Sequence, residues 1–274
     1  MEDFLENRAE EAEEAQDLQT ALELWRELAA RNQEVSFFVR YGSVAEKLER
    51  WEEAESAFTQ ALRLDPTSSL IMENLGSLWA YRTDKGEADS FQTAKEWFLQ
   101  ALGHERNARL LTHLGATYLA LDDNVAARGA FEEAIRIDPH YEEALYNLAV
   151  LDEGMNPQKS VELLEKAIEI DPDYAMAHQV LGRLFQRAKD FTRAEYHFRR
   201  SLEIDAADYW SNMYLANLLG VQGRNAEAEQ AYEFATRLHP EIAGGLDLFA
   251  NFLESIGKGE EATKVRTQVK QSGT

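Results

Sequence analysis

The chain has 274 residues, with 28 Lys and Arg against 50 Asp and Glu, a formal net charge of −22 and no Cys. This excludes a disulfide framework, a thiolate metal site and a Cys nucleophile, and it speaks against nucleic-acid partners, whose phosphates would be repelled. No apolar run approaches the roughly 18 residues needed to span a bilayer, and the acidic start Met1-Glu2-Asp3-Phe4-Leu5-Glu6 is unlike a secretory or mitochondrial leader. A cytoplasmic protein without direct membrane insertion is therefore expected.

Residues 1–34 open on a segment that is mostly Glu and Ala, and carry 11 acidic against three basic residues. Ala21/Trp25 then begins a series in which a small residue is followed four positions later by a large one. It continues through Ala54/Phe58, Ala94/Phe98, Ala127/Phe131, Ser160/Leu164, Ala194/Phe198 and Ala228/Tyr232, with the small residues spaced 33, 40, 33, 33, 34 and 34 apart. A second series places Gly behind Leu or Tyr inside helical sequence: Tyr41-Gly42, Leu75-Gly76, Leu114-Gly115 and Leu181-Gly182. A third is proline after an apolar helical pattern, at Pro66, Pro139, Pro172 and Pro240. Three independent markers thus agree on a period near 34 residues, which signals a repeat architecture.

Each unit reads as two helices. Leu111, Leu114, Tyr118 and Leu121 recur at helical spacing, and Asp122-Asp123-Asn124 breaks the pattern. Ala127, Phe131, Ala134 and Ile135 resume it, and Pro139 ends it. Gly115 and Ala127 lack bulk where two helices cross, while Phe131 and Tyr118 fill the space beside them. One such pair cannot bury its apolar face alone, so neighbours must stack. Between Gly76 and Ala94 the interval is 18 residues instead of 12, which predicts a polar surface loop near 83–90. It is read as a tolerated insertion, with a partner-contacting excursion as the sharper alternative. In the short unit 142–174, Asn156 and Pro157 look like the N-cap and first residue of a helix.

With these residues in hand, the chain resembles the tetratricopeptide repeats. The match is carried by Leu111, Leu114, Gly115, Tyr118, Ala127, Phe131, Ala134 and Pro139 in 108–141, and by Phe38, Gly42, Trp51, Ala54, Phe58, Ala61 and Pro66 in 35–68. Residues 175–208 carry Leu181, Gly182, Phe185, Ala194 and Phe198, with Ala206 in place of Pro. Residues 209–242 carry Leu215, Gly223, Ala228, Tyr232, Ala235 and Pro240. The resemblance implies an all-α fold, a right-handed superhelical solenoid of about seven helix–turn–helix units with degenerate ends. One solenoid over 1–274 would be divided at 1–34 (an N-terminal cap), 35–68, 69–107 (with the insertion), 108–141, 142–174, 175–208, 209–242 and 243–274 (a C-terminal cap).

Nothing in the sequence points to catalysis. The six His (His104, His113, His140, His178, His197 and His239) lack the spacing of a helical metal site, and there is no phosphate loop or nucleophile turn. Runs such as Glu10-Glu11-Ala12-Glu13-Glu14 read as solvated helix faces. No catalytic residue, metal or cofactor is expected.

The resemblance also implies where a partner binds, because the first helix of each tetratricopeptide unit lines a concave groove. Mapped here, the early groove holds Arg40, Glu73, Asn74, Ser77, Arg109, Thr112 and His113. The later groove holds Tyr146, Asn147, Gln179, Arg183, Gln186, Arg187, Trp210, Met213, Tyr214 and Asn217. The candidate partner-binding set is Asn74, Arg109, His113, Tyr146, Asn147, Gln179, Arg183, Arg187, Trp210, Tyr214 and Asn217. Amide side chains can satisfy a peptide backbone, Arg can fork onto a carboxylate, and aromatics supply anchors. Some family members clamp a C-terminal carboxylate. Asn74, Arg109 and His113 match part of that clamp, but Val39 and Ser43 stand where Lys and Asn belong, so it is not expected here. Two readings stay open for Arg183 and Arg187, an anion-binding patch or plain pairing with nearby acids. Two also stay open for Trp210 and Tyr214, facing the groove or packing against the next repeat. The expected function is a non-catalytic interaction scaffold for a protein or peptide, with no nucleic acid. The alternatives are a self-associating array and the regulatory portion of a longer enzyme or assembly factor.

Overall fold

A computed structural model describes residues 2–82 and 87–272. Among them are sixteen α-helices and no strand. The chain divides into two compact units, Met1–Asn147 and Leu148–Thr274.

The first unit holds α1 (Glu2–Glu14), α2 (Leu18–Arg31), α3 (Val35–Lys47), α4 (Trp51–Leu64), α5 (Ser69–Tyr81), α6 (Glu87–His104), α7 (Ala108–Ala120) and α8 (Asn124–Ile137), and α9 (Glu142–Asp152) begins in it. Odd helices pack on the even helix that follows, and α2, α4 and α6 pack on the next pair. The turn inside a pair is tight because one residue adopts the left-handed conformation: Gln16, Glu49 and Asp122 have φ of 58°, 56° and 58°. After α7 this lets the Asp123 N–H reach the Tyr118 carbonyl at 2.8 Å, and the Asp123 carboxylate then caps α8 by accepting from the Ala126 N–H at 3.0 Å. The break read at Asp122-Asp123-Asn124 is therefore a turn followed by an N-cap.

The small-and-large pattern becomes a direct contact. A β-carbon built on Gly42 would stand 2.6 Å from the Phe58 ring, and one on Gly76 would stand 2.6 Å from the Phe98 ring. Only Gly lets the first helix sit this close to the aromatic ring of the second. Phe58, Phe98 and Phe131 are fully buried as a result. At the N-terminal end, Ala9 and Ala12 of α1 are buried, while Glu10, Glu11 and Glu14 are exposed. A narrow alanine stripe thus covers the core, and the acids around it meet water.

The loop expected near 83–90 is narrower than the sequence suggests. Residues 87–90 open α6, which has 18 residues where α4 and α8 have 14, and Ser90 is buried. Residues 83–86 lie outside the described residues.

The second unit holds the end of α9, then α10 (Pro157–Ile170), α11 (Ala175–Arg187), α12 (Phe191–Ile204), α13 (Tyr209–Val221), α14 (Asn225–Leu238), α15 (Ala243–Ser255) and α16 (Gly259–Ser272). Asn156 caps α10, its side-chain oxygen accepting from the Lys159 N–H at 3.2 Å, with Pro157 in the first turn. Lys189, Gly223 and Gly257 take the left-handed turn positions, with φ of 61°, 76° and 84°. Successive pairs are also clasped by ions. Arg200 meets Asp173 at 2.7 Å, Arg224 meets Glu195 at 2.7 Å and Lys258 meets Glu229 at 2.6 Å. Burial alone would raise the Glu195 carboxyl, but hydrogen bonds from Arg224 and Arg199 hold it below its ordinary value.

His178 of α11 and His197 of α12 are both buried, with their Nδ1 atoms 2.9 Å apart. His178 Nε2 lies 3.3 Å from the Pro172 carbonyl, which can only accept, so that nitrogen carries the proton. In the neutral pair, His197 Nδ1–H therefore donates to the bare Nδ1 of His178. Burial, then the neighbouring His178, depresses His197 to about 4.

Candidate functional site

In the second unit, α11 and α13 lie side by side, and their outward faces form a groove of about 410 Å³. Its lining includes Glu153, Arg183, Arg187, Trp210, Met213, Tyr214 and Leu248. Arg183 and Arg187, one helical turn apart on α11, reach the same acid. Arg183 Nη2 donates to Glu153 Oε2 at 2.7 Å, and Arg187 Nη2 donates to Glu153 Oε1. The Arg183 guanidinium also lies over the Tyr214 ring, 5.6 Å from its centroid.

Trp210 and Tyr214 are one turn apart on α13, and their rings stack at 6.1 Å and 26°. Tyr214 stacks in addition on Phe198 at 5.8 Å, so it packs against the core and lines the groove at once. Trp210 remains 50% exposed, and Leu248 across from it is 51% exposed. Half of the Trp210 side chain is therefore packed, its ring also meeting Tyr209 edge-on at 5.0 Å, and half is open to solvent. At the polar end, Gln186 Nε2 donates to Asn217 Oδ1 at 2.8 Å. Burial raises the Tyr232 hydroxyl above its usual value, against the effect of its hydrogen bond with Asn217. The groove thus sets an exposed apolar wall beside two guanidinium groups that share one carboxylate.

In the first unit, Arg109 and His113 of α7 both turn to Glu73 of α5. Arg109 Nη2 donates to Glu73 Oε2 at 2.8 Å, and His113 Nδ1 lies 3.2 Å from Glu73 Oε1. Glu73 is only 3% exposed, which makes it a buried counter-ion instead of a ligand-facing group. Thr112 is also removed from the groove face, being fully buried with its hydroxyl donating to the Ala108 carbonyl at 2.8 Å. A smaller apolar slot of about 360 Å³ opens beside His113, lined by Tyr81, Phe91, Phe98, Ala116 and Ala120.

Profiles of the tetratricopeptide repeat match residues 7–69 and 153–209, and another matches 108–141, together more than half of the chain. The chain belongs to the tetratricopeptide repeat family. Among curated relatives, human protein O-mannosyl-transferase TMTC3 is 26% identical over 209 residues, covering 69% of this chain and 22% of the relative. Superkiller protein 3 of Schizosaccharomyces pombe is 27% identical over 192 residues, covering 66% of this chain and 13% of the relative. The chain thus spans about a fifth or less of the length of these proteins. Among solved structures, PilF of Pseudomonas aeruginosa aligns with a TM-score of 0.69 at 18% identity, over 82% of this chain and 99% of that one. The Cut9–Hcn1 assembly of the APC/C aligns with a TM-score of 0.71 at 15% identity, over 84% of this chain and 45% of that one. A tetratricopeptide repeat protein of Parabacteroides merdae aligns with a TM-score of 0.64 at 18% identity, over 89% and 94%. At these identities the structural likeness speaks for the fold.

Of the candidate residues in this tetratricopeptide protein, the structure brings Arg183, Arg187, Trp210, Tyr214 and Asn217 together on one groove. Gln179 lies on the same helix as the arginines, but its amide donates to Asp208 Oδ2 at 2.8 Å. Asn74, Arg109, His113, Tyr146 and Asn147 belong to the first unit. Asn74 and Tyr146 are half-buried, and the Asn147 amide donates to the Glu143 carbonyl of its own helix at 2.9 Å. Sequence reasoning left out Glu153, Tyr232 and Leu248. Tyr232 lies on α14, the second helix of its pair, but Glu153 stands 33 residues before Gln186 and Leu248 34 after Tyr214, so the repeat period could have found both. Among the described residues, no cluster of three or more His, Asp or Glu could hold a metal, and no helix is long and apolar enough to cross a membrane.

Proposed function

We propose that this protein is a non-catalytic adaptor that holds an extended segment or helix of a partner protein in the groove between α11 and α13. Tetratricopeptide arrays serve generally as protein-interaction scaffolds, and the finer reading rests on one observation. Trp210 is half exposed and stacked on Tyr214, beside Arg183 and Arg187, in a groove of about 410 Å³. Half-exposed aromatics flanked by Arg are the residue types that carry binding energy at protein interfaces. Selecting binders from a random displayed-peptide library on the full chain tests this. Peptides whose binding is lost with Trp210→Ala and Tyr214→Ala support the reading. A catalytic turnover abolished by Arg183→Ala would sink it.

A second reading has the chain act as the tetratricopeptide portion of a longer enzyme or assembly factor. It is favoured by the match to 22% of human protein O-mannosyl-transferase TMTC3. Both readings assign this segment the same work, which is binding.

A further inference from the structure

The geometry points to an acidic segment as the occupant of the α11–α13 groove. Its carboxylate would take the place that Glu153 now fills, and a neighbouring apolar side chain would lie on Trp210. This inference rests on the groove being the partner site and adds the chemistry of the partner.

The charge balance is the first support. Two guanidinium groups converge on one carboxylate, Glu153, so the cluster keeps one positive charge in a chain whose net charge is −22. A local positive site on such a chain attracts acidic segments and repels basic ones. The second support is access. The Arg187 side chain is 57% exposed and that of Arg183 29%, so an incoming carboxylate can reach both. The third is adjacency. The Arg183 guanidinium lies over the ring of Tyr214, on which Trp210 also stacks. One residue of an extended chain spans about 3.3–3.6 Å, so a carboxylate at the arginines and an aromatic or Leu side chain on Trp210 fit residues two or three apart.

Glu153 is then a resident competitor. It holds the two arginines side by side in the free protein, and the partner's carboxylate displaces it. This makes a signed prediction. If Glu153 only braced the arginines for some other ligand, removing its charge would weaken binding. If it competes, removing its charge strengthens binding.

The test uses peptides selected from the random library on the full chain, each synthesised and measured by fluorescence polarisation. The expected peptides carry Asp or Glu two or three residues from an aromatic or Leu. Neutralising that acid, or making Arg187→Ala, should weaken binding about tenfold, and added salt should weaken it further. Glu153→Gln should tighten binding by roughly two- to fivefold, the worth of a partly exposed ion pair. Arg183→Lys provides a milder variant that keeps the charge but loses the fork, and it too should weaken binding. Circular dichroism checks that each variant keeps its helical content. Peptides that depend on Trp210 but carry no acid, or weaker binding in Glu153→Gln, would overturn the inference and leave the groove reading standing. If no selected peptide depends on Trp210 or Tyr214, the groove reading fails, and this inference with it.

Discussion

Phe198 occupies the space where a β-carbon of Gly182 would stand: an added methyl group would meet the ring at 2.5 Å. The ring is fully buried and also stacks on Tyr214 of the groove, so the packing that closes one helix pair supports the candidate site in the next. Gly182→Ala should destabilise the protein by about 1–3 kcal/mol through overpacking, measured by chemical denaturation. Phe198→Leu in the Gly182→Ala background should recover part of the loss, because the smaller side chain leaves room for the methyl group. Additive losses in the double variant would contradict the contact.

Trp210 and Tyr214 should separate stability from binding. Trp210 is half exposed, so Trp210→Ala should cost under about 1 kcal/mol while removing the groove's apolar anchor. Tyr214→Ala should cost more, since its ring also covers Phe198. Melting curves of the two variants, beside their peptide affinities, check both halves.

The buried His178–His197 pair predicts acid sensitivity. His197 is held at about 4 in the folded chain and returns to the ordinary value of about 6.5 when unfolded. Between these values the unfolded state binds the extra proton, so stability is full above about pH 6.5 and falls as the pH drops toward 4. The loss is of order 3 kcal/mol at most. In the neutral pair His197 Nδ1 already carries a proton, so protonation falls on its Nε2 and sets an imidazolium in a buried site. Denaturation curves from pH 7 to pH 4 should flatten in His197→Asn relative to the parent chain. An imidazole titration near 6.5 for His197, read by NMR, would refute the assignment.

Helix caps give a contrast within one protein. Asn156 accepts a hydrogen bond from Lys159 N–H, whereas Ser68, at the equivalent end of α5, makes no side-chain cap bond. Asn156→Ala should cost about 1 kcal/mol. Ser68→Ala should fall within about 0.5 kcal/mol of the parent. Equal losses would show that the cap bond is not what stabilises α10.

The period, the helix pairs and their turns were legible in the residues themselves. Gly182 and Phe198 meet within one repeat unit, so spacing reveals them, and Asn156 before Pro157 is legible as a cap from its residue type, whereas Asp123 was legible only as part of a break. The insertion was legible only as extra length, because the sequence pattern does not show that residues 87–90 wind into α6. The candidate site was legible as a set of positions on the first helices, which placed Arg183, Arg187, Trp210 and Tyr214 on one side. What the arginines do there depended on Glu153, which is 30 residues from Arg183 and 34 from Arg187. In the same way Arg109 and His113 are both engaged by the buried Glu73, 36 residues before Arg109. The repeat pattern constrains small and large apolar residues because close packing tolerates few of them. It leaves polar positions free, and a charged side chain takes its meaning from whichever partner the neighbouring helix brings within about 3 Å. The order of helices was therefore set by the sequence. Which charges stay open to a partner was settled by tertiary packing, which decides where each carboxylate comes to rest.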